Sequence, residues 1–137
     1  MFLFRVFRAF SLSLLVTVVT EGALSFLLGL RSRKDQSLVL LVNLLTNPAV
    51  VYVNLLSMIL IGNSVRTGTL IVTECAAVLT EALIYARKLD WDRLPSGTAA
   101  GMLAGRKTAV RALLLSVLLN AASYGAGEIV KILIRQR

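Results

Sequence analysis

Short charged clusters punctuate the chain, and between them lie four long runs that carry almost no charge: residues 9–30, 37–61, 67–87 and 108–134. Each run is about 20 residues or more, enough at about 1.5 Å of rise per residue to cross a hydrocarbon core of about 30 Å. A helix on the surface of a soluble protein shows a charged or polar face throughout its length, and these runs have no charged one. The pattern predicts an all-α integral membrane protein with four transmembrane helices, forming a single membrane domain over residues 1–137. Composition points the same way, with 57% hydrophobic residues against only 16% charged and a mean hydropathy of +0.80. Arg5 and Arg8 followed by "AFSLSLLVTVV" have the outline of a signal peptide. The apolar run continues through Leu30, however, and it is read as a retained first span.

Charge changes the picture less than its size suggests. A net charge of +8 on a soluble domain would point to nucleic acid. Here the basic residues flank the apolar runs, so the expected partner is the lipid bilayer and not nucleic acid. Arg31, Arg33, Lys34, Arg87, Lys88, Arg93, Arg106, Lys107 and Arg111 fall on one side of the membrane, against Arg5, Arg8, Arg66, Lys131, Arg135 and Arg137 on the other. The larger group marks the cytoplasmic side, which puts the 31–36 and 88–107 loops inside and both termini outside, in the cell (inner) membrane. Trp91 suits the membrane interface. There is no histidine, and the one cysteine, Cys75, reads as a small packing residue within a span. Zinc, haem and iron–sulfur sites of the usual ligand sets are excluded, and no cofactor is expected.

The two halves of the chain repeat. "TEGAL" (20–24) is followed after a charged turn by "VNLLTNPA" (42–49); "TEALI" (80–84) is followed after a longer loop by "LNAASYGA" (119–126). Glu21 then matches Glu81, Asn43 matches Asn120, and Thr46 matches Ser123. Both acids fall on odd-numbered spans and both asparagines on even-numbered ones. The expected architecture is two tandem helical hairpins, residues 9–61 and 67–134, related by a pseudo-twofold axis along the membrane normal. Pro95, Ser96 and Gly97 break any helix in the longer loop.

Polar groups inside the spans carry the candidate chemistry. Depth counted along each run puts Glu21 and Glu81 roughly 18–21 Å from the side bearing the termini, with Asn43, Asn47 and Asn120 near the same level. Glu74, Asn54 and Glu128 form a thinner layer roughly 10 Å from that side. Glu74 and Glu81 are seven residues apart, close to two helical turns, so they share a face. Asn43, Asn47 and Asn54 share a stripe, as do Ser116, Asn120, Ser123 and Gly127. Glu128 can pair with Lys131 three residues on. Pro48 frees the Leu44 carbonyl, and it either kinks the second helix or breaks it to expose a cation-coordinating carbonyl. The pairs Ala121/Gly125 and Ser123/Gly127 stand four apart and permit close helix contact.

An ionised side chain near the bilayer centre costs at least about 2.5–3.5 kcal/mol, which makes such a residue a functional candidate by default. The leading expectation is a small polytopic transporter or channel subunit with a midplane site for a cation, a proton or an organic amine. Glu21, Glu81 and Glu74 would supply carboxyls; Asn43, Asn47, Asn120, Thr46 and Ser123 would be neutral ligands. Hard oxygen ligands of this kind suit alkali or alkaline-earth cations, or an organic amine, better than soft metals. Four helices enclose little volume, so a homo-oligomer or a partner membrane subunit is expected. One rival is a non-catalytic structural or accessory subunit in which the polar seam only holds the bundle together. The other, an enzyme using two carboxylates as acid and base, is weaker because no nucleophile, histidine or metal set accompanies them. The topology is testable directly: reporter fusions at the two termini are expected on the same side of the membrane, and opposite sides would overturn the four-span reading.

Overall fold

Every apolar run becomes a helix, and each helix outruns or stops short of its run for a local reason. The computed structural model describes residues 2–91 and 107–135. The helices are α1 (Phe2–Leu27), α2 (Arg33–Leu60), α3 (Arg66–Lys88) and α4 (Thr108–Arg135), with a 3-10 turn at Asn63–Val65, and no strand occurs among the described residues. Arg33–Leu60, Arg66–Lys88 and Thr108–Val130 are long and apolar enough to cross a membrane, and the apolar helical stretch Ser11–Leu27 is shorter. Pro95, Ser96 and Gly97 lie outside the described residues.

The first run was expected to reach Leu30, but α1 stops at Leu27. Gly29 takes φ 110°; its N–H donates to the Phe26 carbonyl at 3.1 Å and the Leu30 N–H to the Ser25 carbonyl at 3.0 Å. These two bonds close the helix in the manner that a glycine in the left-handed region permits. Ser32 then caps α2, which starts at Arg33, four residues before the expected Ser37. Its Oγ accepts from the Asp35 N–H at 3.0 Å and donates to the Asp35 carboxylate at 2.7 Å, a reciprocal cap that draws the charged turn into the helix. Gln36 fastens the corner, its amide donating to the Leu30 carbonyl at 2.6 Å and to Ser25 Oγ at 3.0 Å. Helix α2 runs uninterrupted through Pro48. One lost hydrogen bond does not break a helix anchored on both sides of it, so no break forms there.

Each helix packs along two neighbours, in the cyclic order α1, α2, α3, α4 and back to α1. Glutamate-bearing α1 and α3 therefore face each other across the ring, as do asparagine-bearing α2 and α4. At the end where α1 and α3 finish, Leu30, Val39, Tyr85, Leu89, Ala112 and Leu119 close the interior as an apolar cluster. Trp91, expected at the interface, belongs to that cluster, and its indole N–H donates to the Tyr85 carbonyl at 3.2 Å. The outer surface is apolar in its turn, with Leu15, Val19, Leu41, Ile59, Val72 and Leu83 exposed. A soluble protein would cover such faces; a bilayer does it instead. Cys75 lies on this exposed surface and is not the packing residue the sequence suggested.

The small residues of α4 were expected to bring helices close, yet a methyl group at Gly125 or Gly127 would meet no atom within 4 Å. Their small size is not used for contact inside the bundle. Gly62, at φ 102°, is in a different position. Gly62→Ala is expected to destabilise by about 1 kcal/mol through backbone strain. Gly125→Ala, in an open helical position, should be neutral or stabilising by up to about 1 kcal/mol. Thermal unfolding followed by circular dichroism in detergent compares them; equal losses would contradict the backbone assignment.

Candidate functional site

Helical spacing brings the polar groups inward from all four helices. On α3, Glu74, Ala77 and Glu81 recur at three and four residues, and the small Ala77 leaves room between the acids. On α4, Ser116, Asn120 and Ser123 form one stripe, and on α2 Asn43, Thr46 and Asn47 do the same. Helix α1 adds Glu21 and, one turn on, Ser25. Glu21 is 0% and Glu81 1% exposed, and Asn43, Thr46, Ser116 and Ser123 are buried with them.

Glu81 is held from two sides. Thr46 of α2 donates to its Oε1 at 2.8 Å, while Ser116 of α4 at 2.9 Å and the Asn120 amide donate to its Oε2. Glu21 is held more sparsely. Ser123 of α4 donates to its Oε1 at 2.8 Å, and Asn43 of α2, whose amide also donates to the Val39 carbonyl at 3.1 Å, lies beside it. Glu21 Oε2 is buried with no hydrogen-bond partner. The two carboxyls lie within electrostatic range of each other.

Each of the three hydroxyls also lies against a backbone carbonyl, of its own helix for Thr46 and Ser123 and of α3 for Ser116. Thr46 Oγ1 is 3.0 Å from the Val42 carbonyl, Ser116 Oγ 3.0 Å from that of Val78, and Ser123 Oγ 3.0 Å from that of Asn120. A hydroxyl has one hydrogen and can also accept. Each can therefore give its hydrogen to an ionised carboxylate, or give it to the backbone carbonyl while accepting from a protonated carboxyl. The same heavy-atom frame satisfies both states.

A cavity of about 110 Å³ opens from this layer toward the end opposite the apolar cluster. Of the residues expected to form a site, Glu81, Glu74, Asn43, Asn47, Asn120, Thr46 and Ser123 all line it; Glu21 does not, being enclosed behind them. Glu128 lines it too, with Thr17 and Ser13 from α1. The Lys131 side chain, expected to pair with Glu128, lies outside the described residues. Asn54, placed by depth at the level of Glu74, donates to Thr73 Oγ1, next to Glu74 in the chain, at 2.9 Å and ties α2 to α3. Among the described residues no basic side chain lines the cavity, and no group of three or more acidic, histidine or cysteine side chains is placed to hold a metal.

Two buried groups at the site were not singled out from sequence. Ser116 belonged to the polar stripe of α4, and its position one turn before Asn120 was the signal for its role as a second donor to Glu81. Tyr85, one turn beyond Glu81, is fully buried with its hydroxyl unpartnered; in a list of apolar and aromatic residues nothing distinguished it from ordinary core.

No protein-family model, no curated protein sequence and no solved structure matches the chain.

Removing one donor from a buried carboxyl costs about 1–3 kcal/mol. Thr46→Val and Ser123→Ala are expected to lower the unfolding temperature, whereas Thr80→Val should not. Thr80 only bonds back to its own helix at Ala76, on the exposed face. Thermal melts of the three variants check the ranking; a loss at Thr80 as large as at Thr46 would contradict it.

Proposed function

We propose that the protein is a small polytopic membrane transporter or channel subunit whose Glu21–Glu81 layer binds a proton or a small cation. The observation that carries this reading is the hydrogen-bond frame around the two carboxyls: three hydroxyls poised between carboxyl and carbonyl, and one carboxyl oxygen, Glu21 Oε2, enclosed without a donor. A carboxylate oxygen in that position is satisfied by a proton of its own or by a cation. Asn43, Asn120, Thr46 and Ser123 are the neutral ligands, and Glu74 and Asn47 line the approach.

Four spans and a pseudo-twofold arrangement are part of the proposal. Supporting the first, α1 extends over 26 residues from Phe2 and packs along both α2 and α4. Supporting the second, contacts exchange when the hairpins exchange. Thr46 donating to Glu81 becomes Ser123 donating to Glu21, each at 2.8 Å. The Asn43 amide on the Val39 carbonyl becomes the Asn120 amide on that of Ser116, at 3.1 and 3.0 Å. The halves differ where it matters chemically: Ser116, the extra donor to Glu81, corresponds to Val39, which has no hydroxyl to offer Glu21. The proposal also keeps the cytoplasmic assignment of the 31–36 loop, the external termini, the inner membrane, and assembly as a homo-oligomer or with a partner subunit.

A second reading, a non-catalytic accessory subunit, draws on the same bonds, because Thr46–Glu81–Ser116 cross-links α2, α3 and α4. Mutation separates the two. Glu21→Gln and Glu81→Gln preserve size and hydrogen bonding while deleting charge. Both variants are expected to fold by circular dichroism and to lose monovalent-cation binding by calorimetry, by at least about tenfold each. The double variant should be far from additive, because residues at one site couple, and Glu128→Gln should do less. Flux into proteoliposomes should fall in parallel. Normal cation binding in both single variants, or failure of both to fold, would leave the acids as structural groups.

A further inference from the structure

The two carboxyls of the polar layer meet different surroundings. Glu81 lines the cavity of about 110 Å³ together with Glu74 and Glu128, so a compact ion reaches it directly. Glu21 is 0% exposed and does not line that space. Ser123 stands between Glu21 and the cavity: it lines the cavity and donates to Glu21 Oε1 at 2.8 Å. The other oxygen, Glu21 Oε2, has no hydrogen-bond partner, and neither has the hydroxyl of Tyr85, a residue that is also 0% exposed. That hydroxyl lies within electrostatic range of both Glu21 and Glu81. One interior thus holds a carboxyl oxygen and a phenol hydroxyl that are both unpaired, although buried polar groups are as a rule hydrogen-bonded. Each is what the other lacks, because a phenol hydroxyl both donates and accepts.

We infer that Glu21 is a proton site separate from a cation site at Glu81, and that Tyr85 is the positioning residue that receives the Glu21 carboxylate when its proton leaves. The inference rests on the carboxyl layer proposed above and adds which acid takes which ligand. Size decides the assignment. An ion needs a space and several oxygen ligands around it, which the cavity at Glu81 offers, whereas a proton adds no volume and suits the enclosed Glu21. Among the described residues, the titratable groups facing Glu21 are Glu81, Glu74 and Tyr85, all on α3. Helices α2 and α4 present Asn43 and Ser123 to it, which carry no titrating group. A cation held by Glu81 places positive charge near Glu21 and favours its ionised form. The proton on Glu21 Oε1 then passes to Ser123 Oγ while Ser123 gives its own hydrogen to water in the cavity, so one cation enters and one proton leaves. The carboxylate left behind lacks a donor at Oε2. The Tyr85 hydroxyl, engaged nowhere else, turns to donate to it.

The test titrates the full chain in detergent with sodium, potassium and methylammonium chloride, reading binding by calorimetry and released protons by an indicator dye in weak buffer. At least one of the three cations should bind the wild type with release of about one proton per site. Glu21→Gln should release none on whatever binding remains. Tyr85→Phe removes a hydroxyl that makes no hydrogen bond in this structure, so it should melt no lower than the wild type. It should nevertheless bind the cation about tenfold more weakly, because the Glu21 carboxylate loses its donor. A purely structural tyrosine predicts no such loss. The second measurement needs no variant of Tyr85 to fold: with ring-deuterated tyrosine, infrared difference spectra should show a tyrosine C–O band that moves when the cation is added. The band should move equally in Tyr52→Phe, where the replaced residue is exposed, and stay still in Glu21→Gln. Failure of all three cations to bind the wild type would overturn the cation site and this inference together. Cation binding without proton release would overturn the assignment of Glu21 and leave the carboxyl layer as a cation site. Unchanged affinity in Tyr85→Phe, or a tyrosine band that does not move, would overturn the role of Tyr85.

Discussion

The carboxyl of Glu81 sits in an apolar bundle, and the donors that satisfy it come from its neighbours on both sides. Thr46 reaches it from α2, Ser116 and Asn120 from α4. A carboxyl so placed without these donors would cost several kcal/mol, so the need to satisfy it sets which faces of three helices turn inward. Rotation of α4 by a fraction of a turn would separate Ser116 and Asn120 from Glu81 and Ser123 from Glu21 at once. Apolar packing alone tolerates such slips more readily, because dispersion contacts are non-directional. The polar layer therefore fixes the rotational setting of the bundle, and the apolar contacts fill around it.

The two ends of the bundle differ in consequence. Beyond the acid layer, on the side of the Gly29 turn, Leu30, Leu89, Leu119 and Trp91 close the interior. On the other side, the side chains that continue the same stripes are Thr17, Asn47, Glu74 and Glu128, and a cavity persists. A proton or ion approaching the carboxyls meets polar groups from one direction and a packed apolar cluster from the other. Alternating exposure of the proposed site would require the cluster around Tyr85 to open. Tyr85 is the residue placed to link the two regions, one turn from Glu81 with an unpartnered hydroxyl.

Within the proposed pseudo-twofold arrangement, the departures carry as much chemical content as the correspondences. Where the second half has Ser116, the first has Val39, and Glu21 is held by fewer donors than Glu81. In the proposed mechanism the better-satisfied Glu81 faces the cavity and the enclosed Glu21 offers the open oxygen. The two proposed halves would thus supply an outer and an inner carboxyl with different surroundings.

The sequence by itself determined the helices and the layer. Length and hydropathy of the apolar runs are local properties, and helical spacing alone put Glu74 with Glu81 and Ser116 with Asn120 and Ser123. Depth counting also brought Glu21, Glu81, Asn43 and Asn120 to one level, because rise per residue is constant in a helix. Counting gave the level of Asn54 but not its partner, Thr73, the residue beside Glu74. Depth says nothing of azimuth, and azimuth is set by the neighbouring helix. Only the tertiary structure decided which acid lines the cavity and which lies behind it, that Thr46 serves Glu81 and Ser123 serves Glu21, and that a methyl group at Gly125 or Gly127 would meet no neighbour. Each of those depends on contacts between residues 35 to 102 positions apart or on their absence, and no local pattern records where two helices rotate to meet.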